Sequence, residues 1–424
     1  MINQFLKTCE LNDKKDAFRW IRNNKLYRKT FEELLDDVNR FCNLFKKNNL
    51  KTSDKIILFV KPSYEMYVTI LASMSYGLNI VVIDSFNNST RLKEMINISK
   101  AQYIFINNDT RLIANFIFGS FKKINISQFH KYSSNFKQYL FENNNIVLTT
   151  FTSGTTGTPK IISRSFNDLS LQIKLLMKNY TLNKDDVVIS LLPIYVLLSI
   201  FNGNTTCIIK NITNKNVLKL NGNVILGKIS KILKIKQKIN SIKTLYLGGA
   251  YIYNNEAKKI INTFPDAEII YTYGASEGVT IGINSLKDFY TNHRFKMVDG
   301  LKVNIINKIN GVGEICIQGE SVLGINHSHN TQDIGYFENE YLYIVGRKKY
   351  SSLENLFYNY VNDQLLREKY SLKKVYSLWY NDKIYCFSNR RVKNSNIIKV
   401  KKFPYDLKHK TKIDYSRLIQ KYIK

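Results

Sequence analysis

Long apolar runs are scarce in this chain of 424 residues. The most apolar stretch, Val187 to Phe201, is interrupted by Ser190, Pro193 and Ser199 and falls short of the roughly 18–20 residues that a helix needs to span a bilayer. A core strand followed by the start of a helix is expected there, with no transmembrane segment; peripheral contact with a membrane surface stays open. Met1 to Glu10 lacks the uninterrupted apolar region of a secretory leader, so a cytoplasmic location is expected. Cysteine is sparse as well: Cys9, Cys42, Cys207, Cys316 and Cys386 stand far apart with no C-x-x-C pair, and read as reduced core residues of a cytosolic protein. His327 and His329 flank Ser328, but no third ligand is evident and a solvated loop is the better reading than a metal site. Internal repeats and low-complexity tracts are missing too.

Negative charge is also in short supply, with 33 acidic against 63 basic residues and a net charge of +30. The lysines are spread through nearly every segment, and no nucleic-acid recognition motif accompanies them. The expectation is therefore no nucleic-acid partner, and a general attraction for polyanionic small molecules. What is present in quantity is core material: 44% hydrophobic and 13% aromatic residues. The length suggests two to three domains rather than one ordinary core.

Along the chain, residues 1–53 read as a helical entry region, with Phe31, Leu34, Leu35, Val38, Phe41, Leu44 and Phe45 at helical spacing. Lys55 to Val60 is strand-like, Ser63 to Tyr76 helical and ended by Gly77, and Ile80 to Ile83 strand-like again. That alternation is a βαβ unit with a parallel sheet. It continues through Arg91 to Ser99 (helix) and Tyr103 to Ile106 (strand), and then, after a polar stretch, Ile146 to Phe151. A helix from Phe166 to Tyr180, strands at Val187 to Leu191, Val224 to Leu226, Thr244 to Leu247 and Glu268 to Tyr273, and helices at Ser230 to Ile239 and Asn255 to Phe264 make a second βα layer. From Val279 strands dominate, at Leu301 to Ile306, Gly313 to Gln318 and Tyr341 to Val345. A small α+β tail follows Gly346-Arg347-Lys348-Lys349, where a hinge is the most plausible boundary.

The sharpest local signal is Thr152-Ser153-Gly154-Thr155-Thr156-Gly157-Thr158-Pro159-Lys160. Glycines let backbone approach a ligand, and N–H groups, hydroxyls and an ammonium together suit phosphate oxygens. Pro159 rules out the common nucleotidase P-loop, which needs Gly-Lys-Ser/Thr there. On composition alone a flexible Ser/Thr/Gly turn between a strand and a helix is the alternative.

Its company narrows the choice. In order come Gly248-Gly249-Ala250, Tyr271-Thr272-Tyr273-Gly274-Ala275-Ser276-Glu277, Gly311-Val312-Gly313-Glu314, Gly319, Asp333, Gly346-Arg347 and Lys412-Ile413-Asp414. From about Lys55 to Lys412 this order resembles the acyl-adenylate-forming (AMP-binding) superfamily of acyl-coenzyme A synthetases, peptide-synthetase adenylation domains and luciferases, with Ser276 where Thr is usual.

The resemblance implies an α/β fold: a large N-terminal domain, residues 1–346, of two βα-layered subdomains plus a β-rich one, and a small, shortened α+β C-terminal domain, residues 347–424, on a hinge. It implies a ligase that converts a small carboxylic acid and ATP with Mg²⁺ to an acyl-adenylate and pyrophosphate, then transfers the acyl group to the thiol of coenzyme A or of phosphopantetheine on an acyl- or peptidyl-carrier protein. By the same resemblance, Thr152, Ser153, Gly154, Thr155, Thr156, Gly157 and Lys160 would wrap the β- and γ-phosphates. Gly248, Gly249 and Ala250 would lie along the adenine and Tyr273, followed by Gly274, would stack on it. Ser276 would meet the α-phosphate and Glu277 would hold Mg²⁺. Asp333 would take the ribose hydroxyls, and Arg347 the ribose and phosphate side. Lys412 would be catalytic, bridging the carboxylate and the α-phosphate.

Departures weaken the second half of that reaction. Tyr350 stands where Asp or Lys is usual, and Ser351 to Leu356 has none of the glycines expected of a phosphopantetheine tunnel. Pro193-Ile194-Tyr195 carries no histidine, and no Asp for an amino acid's ammonium is visible. The apolar Tyr195, Val196, Leu197 and Leu198 lean toward a fatty or aryl acid, with structural core an equal reading. An adenylation enzyme loading a carrier protein, or a nucleotide-binding protein without thioester chemistry, remains as alternative.

Overall fold

Short apolar runs separated by amphipathic helices leave the backbone one economical solution, a parallel sheet covered on both faces. The computed structural model, which describes residues 2–83, 89–119, 121–136, 144–153, 159–393, 395–405 and 413–423, adopts it. One sheet has the order Lys122–Asn125, Tyr103–Ile106, Lys55–Phe59, Asn79–Val82, Ile146–Ser153, Pro159–Ser165. Its first five strands are parallel and the last antiparallel. Alternate side chains feed two cores: Ile56, Leu58 and Ile80 join Phe41, Phe45 and Phe105 on one face, while Ile57, Phe59, Val81 and Ile104 face the other. Each large apolar side chain so buried contributes about 1.5–3 kcal/mol.

The helices start and stop where side chains can satisfy free backbone groups. Phe31–Lys47 opens on a capping box in which Thr30 accepts from the Glu33 amide and Glu33 from that of Thr30. Tyr64–Tyr76 opens on Ser63 and closes on Gly77, whose φ of 82° is left-handed.

The entry region departs from the expected all-helical reading. Asp16–Arg22 and Lys25–Thr30 form an antiparallel hairpin, joined by Asn23 and Asn24 at φ 49° and 58°. Two consecutive left-handed residues match strand twist, and asparagine tolerates them. The hairpin adds to a sheet that continues through Thr205–Ile208, Val187–Ser190 and Val224–Lys228. A further helix, Arg111–Ile117, and the strand Lys122–Asn125 occupy the stretch read as merely polar. The lysine-rich helix also falls short, running only from Ile229 to Ile232; beyond it lysines 234, 236 and 238 have no acidic partner at helical spacing, and like charges there disfavour a helix.

Contacts divide the chain into two compact units, Met1–Leu226 and Gly227–Lys424. In the second, Thr244–Gly248 pairs in parallel with Glu268–Ala275. The sheet then runs antiparallel through Val279–Ser285, Arg294–Met297, Tyr341–Arg347, Ser328–Glu338, Val312–Gln318 and Lys302–Ile309. The tail has a helix, Asn359–Lys369, a three-stranded sheet, Val375–Tyr380, Lys383–Ser388 and Ile397–Lys399, and a helix, Tyr415–Tyr422. The hinge expected at residues 346–350 concerns motion, which compactness does not measure. Among the described residues, no helix is long and apolar enough to cross a membrane.

The core absorbs two features that the sequence left open. Tyr195, Val196, Leu197 and Leu198 are all buried in the helix Pro193–Phe201, and the Tyr195 hydroxyl lies 3.1 Å from that of Tyr180. Their apolar character is thus explained by packing and carries no information about the acid. All five cysteines are free thiols, with Cys9, Cys42 and Cys207 buried; burial pushes the Cys9 and Cys207 thiols up to about 12.

Candidate active site

Of the predicted nucleotide residues of the second unit, Gly248 and Tyr273 to Glu277 gather at the ends of two neighbouring strands, while Asp333 and Arg347 come from two others. Thr244–Gly248 ends in Gly248, where a Cβ would lie 2.5 Å from Thr272 Oγ1. Thr272 Oγ1 in turn donates to Leu247 O at 2.9 Å. Gly249, at φ 91°, then turns the chain off the sheet, a conformation that favours glycine. The loop after it is pinned by Tyr271, whose hydroxyl donates to Ala250 O at 2.9 Å and accepts from the Ile252 amide at 3.2 Å.

Tyr273 lies on the same strand and its hydroxyl donates to Asp333 Oδ2 at 2.9 Å. Arg347 Nη1 donates to Asp333 Oδ1 at 2.9 Å and to Thr331 O at 2.9 Å. Asp333 and Arg347 sit directly opposite one another in the antiparallel ladder, which brings their side chains to the same face of the sheet. Burial and the Asp333 charge push the Tyr273 phenol well above its ordinary value. The Asp333 carboxylate likewise holds Arg347 charged. Each carboxylate oxygen spends one lone pair on these partners and keeps another for a ligand hydroxyl.

Beyond Tyr273 the ladder slips by one residue, and the turn Ser276-Glu277-Gly278 follows. Val279 closes it at φ 55°, an unfavourable conformation for a β-branched residue. The turn is held by the Leu323 amide donating to Glu277 O at 2.9 Å. The Glu277 carboxylate lies 3.6 Å from His329 Nε2. His329 is therefore not on a solvated loop: it projects from the strand Ser328–Glu338, whereas His327 is the exposed one.

Glu314 is nearly wholly buried and accepts from Lys348 Nζ, Asn307 Nδ2 and Asn330 Nδ2. Burial alone would raise its carboxyl, but the Lys348 ammonium and the two amides outweigh it and hold the value below normal.

The remaining predicted residues are placed otherwise. Thr152 and Ser153 end the strand Ile146–Ser153, paired with Lys160 and Pro159 on the antiparallel neighbour. The loop thus joins two strands rather than a strand and a helix, and Lys160 is exposed. Gly154, Thr155, Thr156, Gly157 and Lys412 lie outside the described residues.

The profile of the family described as AMP-binding enzyme matches residues 5–324. The chain belongs to the AMP-binding enzyme family. A D-alanine–D-alanyl carrier protein ligase of Staphylococcus epidermidis is 24% identical over 338 residues, covering 73% of this chain and 65% of that protein. A putative long chain fatty acid-CoA ligase, VraA, from the same species is 23% identical over 230 residues, covering 48% of this chain and 50% of that one. The chain thus spans between half and two thirds of the length of these curated relatives. Among solved structures, o-succinylbenzoate CoA synthetase (MenE) from Bacillus subtilis in complex with the acyl-adenylate intermediate OSB-AMP superposes with a TM-score of 0.81, over 98% of this chain and 97% of that one at 16% identity. That likeness establishes the fold.

Among the described residues, no group of three His, Cys, Asp or Glu side chains converges to hold a metal. Mg²⁺ characteristically takes one or two carboxylates and completes its octahedron with substrate phosphates and water, so a single carboxylate such as Glu277 could hold it.

Gly274 tests the turn. A Cβ there would sit 1.9 Å from Val279 O, so Gly274→Ala must displace the segment that presents Ser276 and Glu277. A loss of about 1–3 kcal/mol is expected, read by denaturant unfolding, together with weaker ATP binding by calorimetry.

Sequence reasoning missed Tyr251, Asn359 and Tyr360. The Tyr251 and Tyr360 rings stack at 4.5 Å and 20°, and the Arg347 amide donates to Asn359 Oδ1 at 2.9 Å. No spacing rule links residues about 110 positions apart; the only signal was an aromatic-rich stretch after a basic turn.

Proposed function

We propose that this protein uses ATP to activate a carboxylic acid as its acyl-adenylate and passes the acyl group to a thiol. A carboxylate oxygen attacks the α-phosphorus, the bond to the bridging oxygen breaks, and pyrophosphate leaves. A thiol then attacks the acyl carbon, its proton is lost, and AMP departs. The observation that carries the reading is the connected Tyr273–Asp333–Arg347 group beside the Gly249 turn, in a chain of the AMP-binding family.

In this reading Asp333 accepts from the ribose hydroxyls, Arg347 and Tyr273 hold that carboxylate in place, and the Gly248-Gly249-Ala250 backbone gives the adenine a flat approach. Glu277 would hold Mg²⁺, which supplies charge neutralisation on the triphosphate. Ser276 would meet the α-phosphate, the Thr152–Lys160 loop would grip the β- and γ-phosphates, and Lys412 would face the reacting carboxylate. The hinge falls between a large domain, 1–346, and a small one, 347–424.

The acceptor is coenzyme A or a carrier-protein phosphopantetheine. One observation favours a second reading, in which thioester transfer is lost. The segment after Tyr350 turns back on itself through a Ser352–Phe357 bridge, with Leu356 at φ 51°, and it has none of the glycines that would let a phosphopantetheine arm approach its backbone.

ATP–pyrophosphate exchange decides the first step. Fatty, aryl and amino acids, among them D-alanine and o-succinylbenzoate, are offered in turn, and acid-dependent exchange is expected with one class. Absence of exchange with every acid would defeat the proposal. Trapping with coenzyme A or a carrier protein separates the acceptors.

A further inference from the structure

The helix Arg111–Ile117 turns an apolar face to solvent. Leu112 is 84% exposed, Ile113 51% and Phe116 93%. Positions three and four apart share one side of a helix, so Leu112 and Ile113 each lie beside Phe116 and the three side chains make one patch. Large apolar residues scattered singly are ordinary on a surface, whereas a contiguous group marks an interaction site.

The exposure is built into the fold. Before the helix, the buried Asn107 and Thr110 tie the chain into a turn: the Thr110 amide donates to Asn107 Oδ1 at 3.1 Å, and the Asn107 amide to Thr110 Oγ1 at 3.1 Å. Ala114 and Phe118 enter the core together with Phe59 and Ile106. The Phe118 ring packs 4.9 Å from that of Phe59 and 5.8 Å from that of Phe121. These anchors set the rotation of the helix about its own axis, and Leu112, Ile113 and Phe116 are thereby held outward.

Positive charge stands at both ends of the patch. From Met95 to Phe136 the sequence has one acid, Asp109, against Lys100, Arg111, Lys122, Lys123 and Lys131. Arg111 is exposed at the start of the helix. Because Tyr103–Ile106 and Lys122–Asn125 are parallel neighbours, the helix between them returns to the end of the sheet where both strands begin. There Lys122 pairs with Tyr103, three residues after the exposed Lys100, and Lys123 Nζ donates to Gly119 O at 2.7 Å.

We propose that the helix Arg111–Ile117 is a peripheral docking site for an anionic lipid bilayer, with Leu112, Ile113 and Phe116 entering the boundary between headgroups and acyl chains while Arg111, Lys100 and Lys122 meet lipid phosphates. Firm binding at such an interface needs apolar insertion and positive charge together, and this face supplies both. A second copy of the chain is disfavoured, because each carries a net charge of +30 and two positive faces would meet. A specific protein interface carries an arranged set of hydrogen bonds; within residues 112–116 Asn115 is the one polar side chain. The site is independent of the adenylating reading.

The test is co-sedimentation of the full chain with vesicles of phosphatidylcholine and phosphatidylglycerol in equal parts, and with vesicles of phosphatidylcholine alone. Binding is expected to the anionic vesicles and to be weaker to the neutral ones. The Leu112→Ser, Phe116→Ser double variant is expected to lose about tenfold or more of its partitioning, since burying each large apolar side chain is worth about one factor of ten. Both side chains are exposed, so its unfolding midpoint is expected to stay put; if it does not fold, Phe116→Ser alone carries the test. An environment-sensitive dye on Asn115→Cys, an exposed position, with Cys316 and Cys386 replaced by serine, is expected to shift to the blue on adding anionic vesicles and to become shielded from an aqueous quencher. Undiminished binding by the serine variants would assign the attraction to diffuse charge and overturn the site, as would an unmoved dye or no binding to anionic vesicles. A dimer in sedimentation that the same variants dissociate would instead give the face to a second copy. Neither readout needs turnover, so a lack of pyrophosphate exchange would count against the proposed function and leave the docking site standing.

Discussion

Lys412→Ala is expected to lower acid-dependent ATP–pyrophosphate exchange by about 10²–10³-fold, the usual cost of removing one group aimed at developing charge, while ATP affinity by calorimetry changes by no more than a few-fold. The physical reason is differential: an ammonium facing the attacked phosphorus meets more negative charge in the transition state than in the bound substrates. Lys412 lies outside the described residues; Ile413 and Asp414, which follow it, are described. Tyr405 pairs with Ile413, the Asp414 amide donates to Pro404 O at 2.9 Å, and Asp414 caps the helix Tyr415–Tyr422 by accepting from the Arg417 amide. Lys412→Arg would keep the charge but change its reach and geometry, so partial activity is expected there. Near-normal exchange in Lys412→Ala would remove the residue from its proposed role, with Lys408 and Lys410 the next to test.

Asp333→Ala should weaken ATP binding by about 10–100-fold, corresponding to the roughly 1.5–3 kcal/mol of a hydrogen bond to a charged group. It should also destabilise the fold, because it leaves the Arg347 guanidinium and the Tyr273 hydroxyl without their shared acceptor. A third of the Arg347 side chain stays exposed, so water repays part of that loss, and a cost of about 1–3 kcal/mol is expected rather than that of a fully buried pair. Asp333→Asn separates the two effects. Its amide oxygen still accepts from one partner, so stability recovers more than nucleotide affinity does. Calorimetry with ATP and denaturant unfolding read the two quantities independently, and an Asp333→Ala protein that binds ATP normally would contradict the ribose assignment.

Four strands of the parallel sheet were legible because each is a short apolar run of strand length, so period and length told them from the helices; the fifth, Lys122–Asn125, was not, since two of its four residues are lysines. The hairpin Asp16–Thr30 was not, because Lys25–Thr30 has no fully buried residue and its only punctuation is Asn23-Asn24. Tyr195 to Leu198 show the converse failure, since an apolar segment reads alike whether it faces a substrate or a core. His329 was misplaced for a related reason: a histidine two residues from another looks like loop until the strand that separates their directions is known.

The order of Thr152 to Lys160, Gly248-Gly249-Ala250, Tyr273 to Glu277, Asp333 and Arg347 along the chain was enough to place it in its family, because glycines, hydroxyls and charged side chains in a fixed order are a pattern that sequence carries directly. Tertiary structure alone decided what those residues do for one another. The pairing of Asp333 with Arg347 arises from a ladder register and that with Tyr273 from a side-chain hydrogen bond between strands that are not neighbours, neither of which any spacing encodes. The docking of Asp363 and Arg367 on Tyr253 joins positions about 110 residues apart, and such contacts are dictated by how buried charge and aromatic surface are jointly satisfied, which only the packed chain determines.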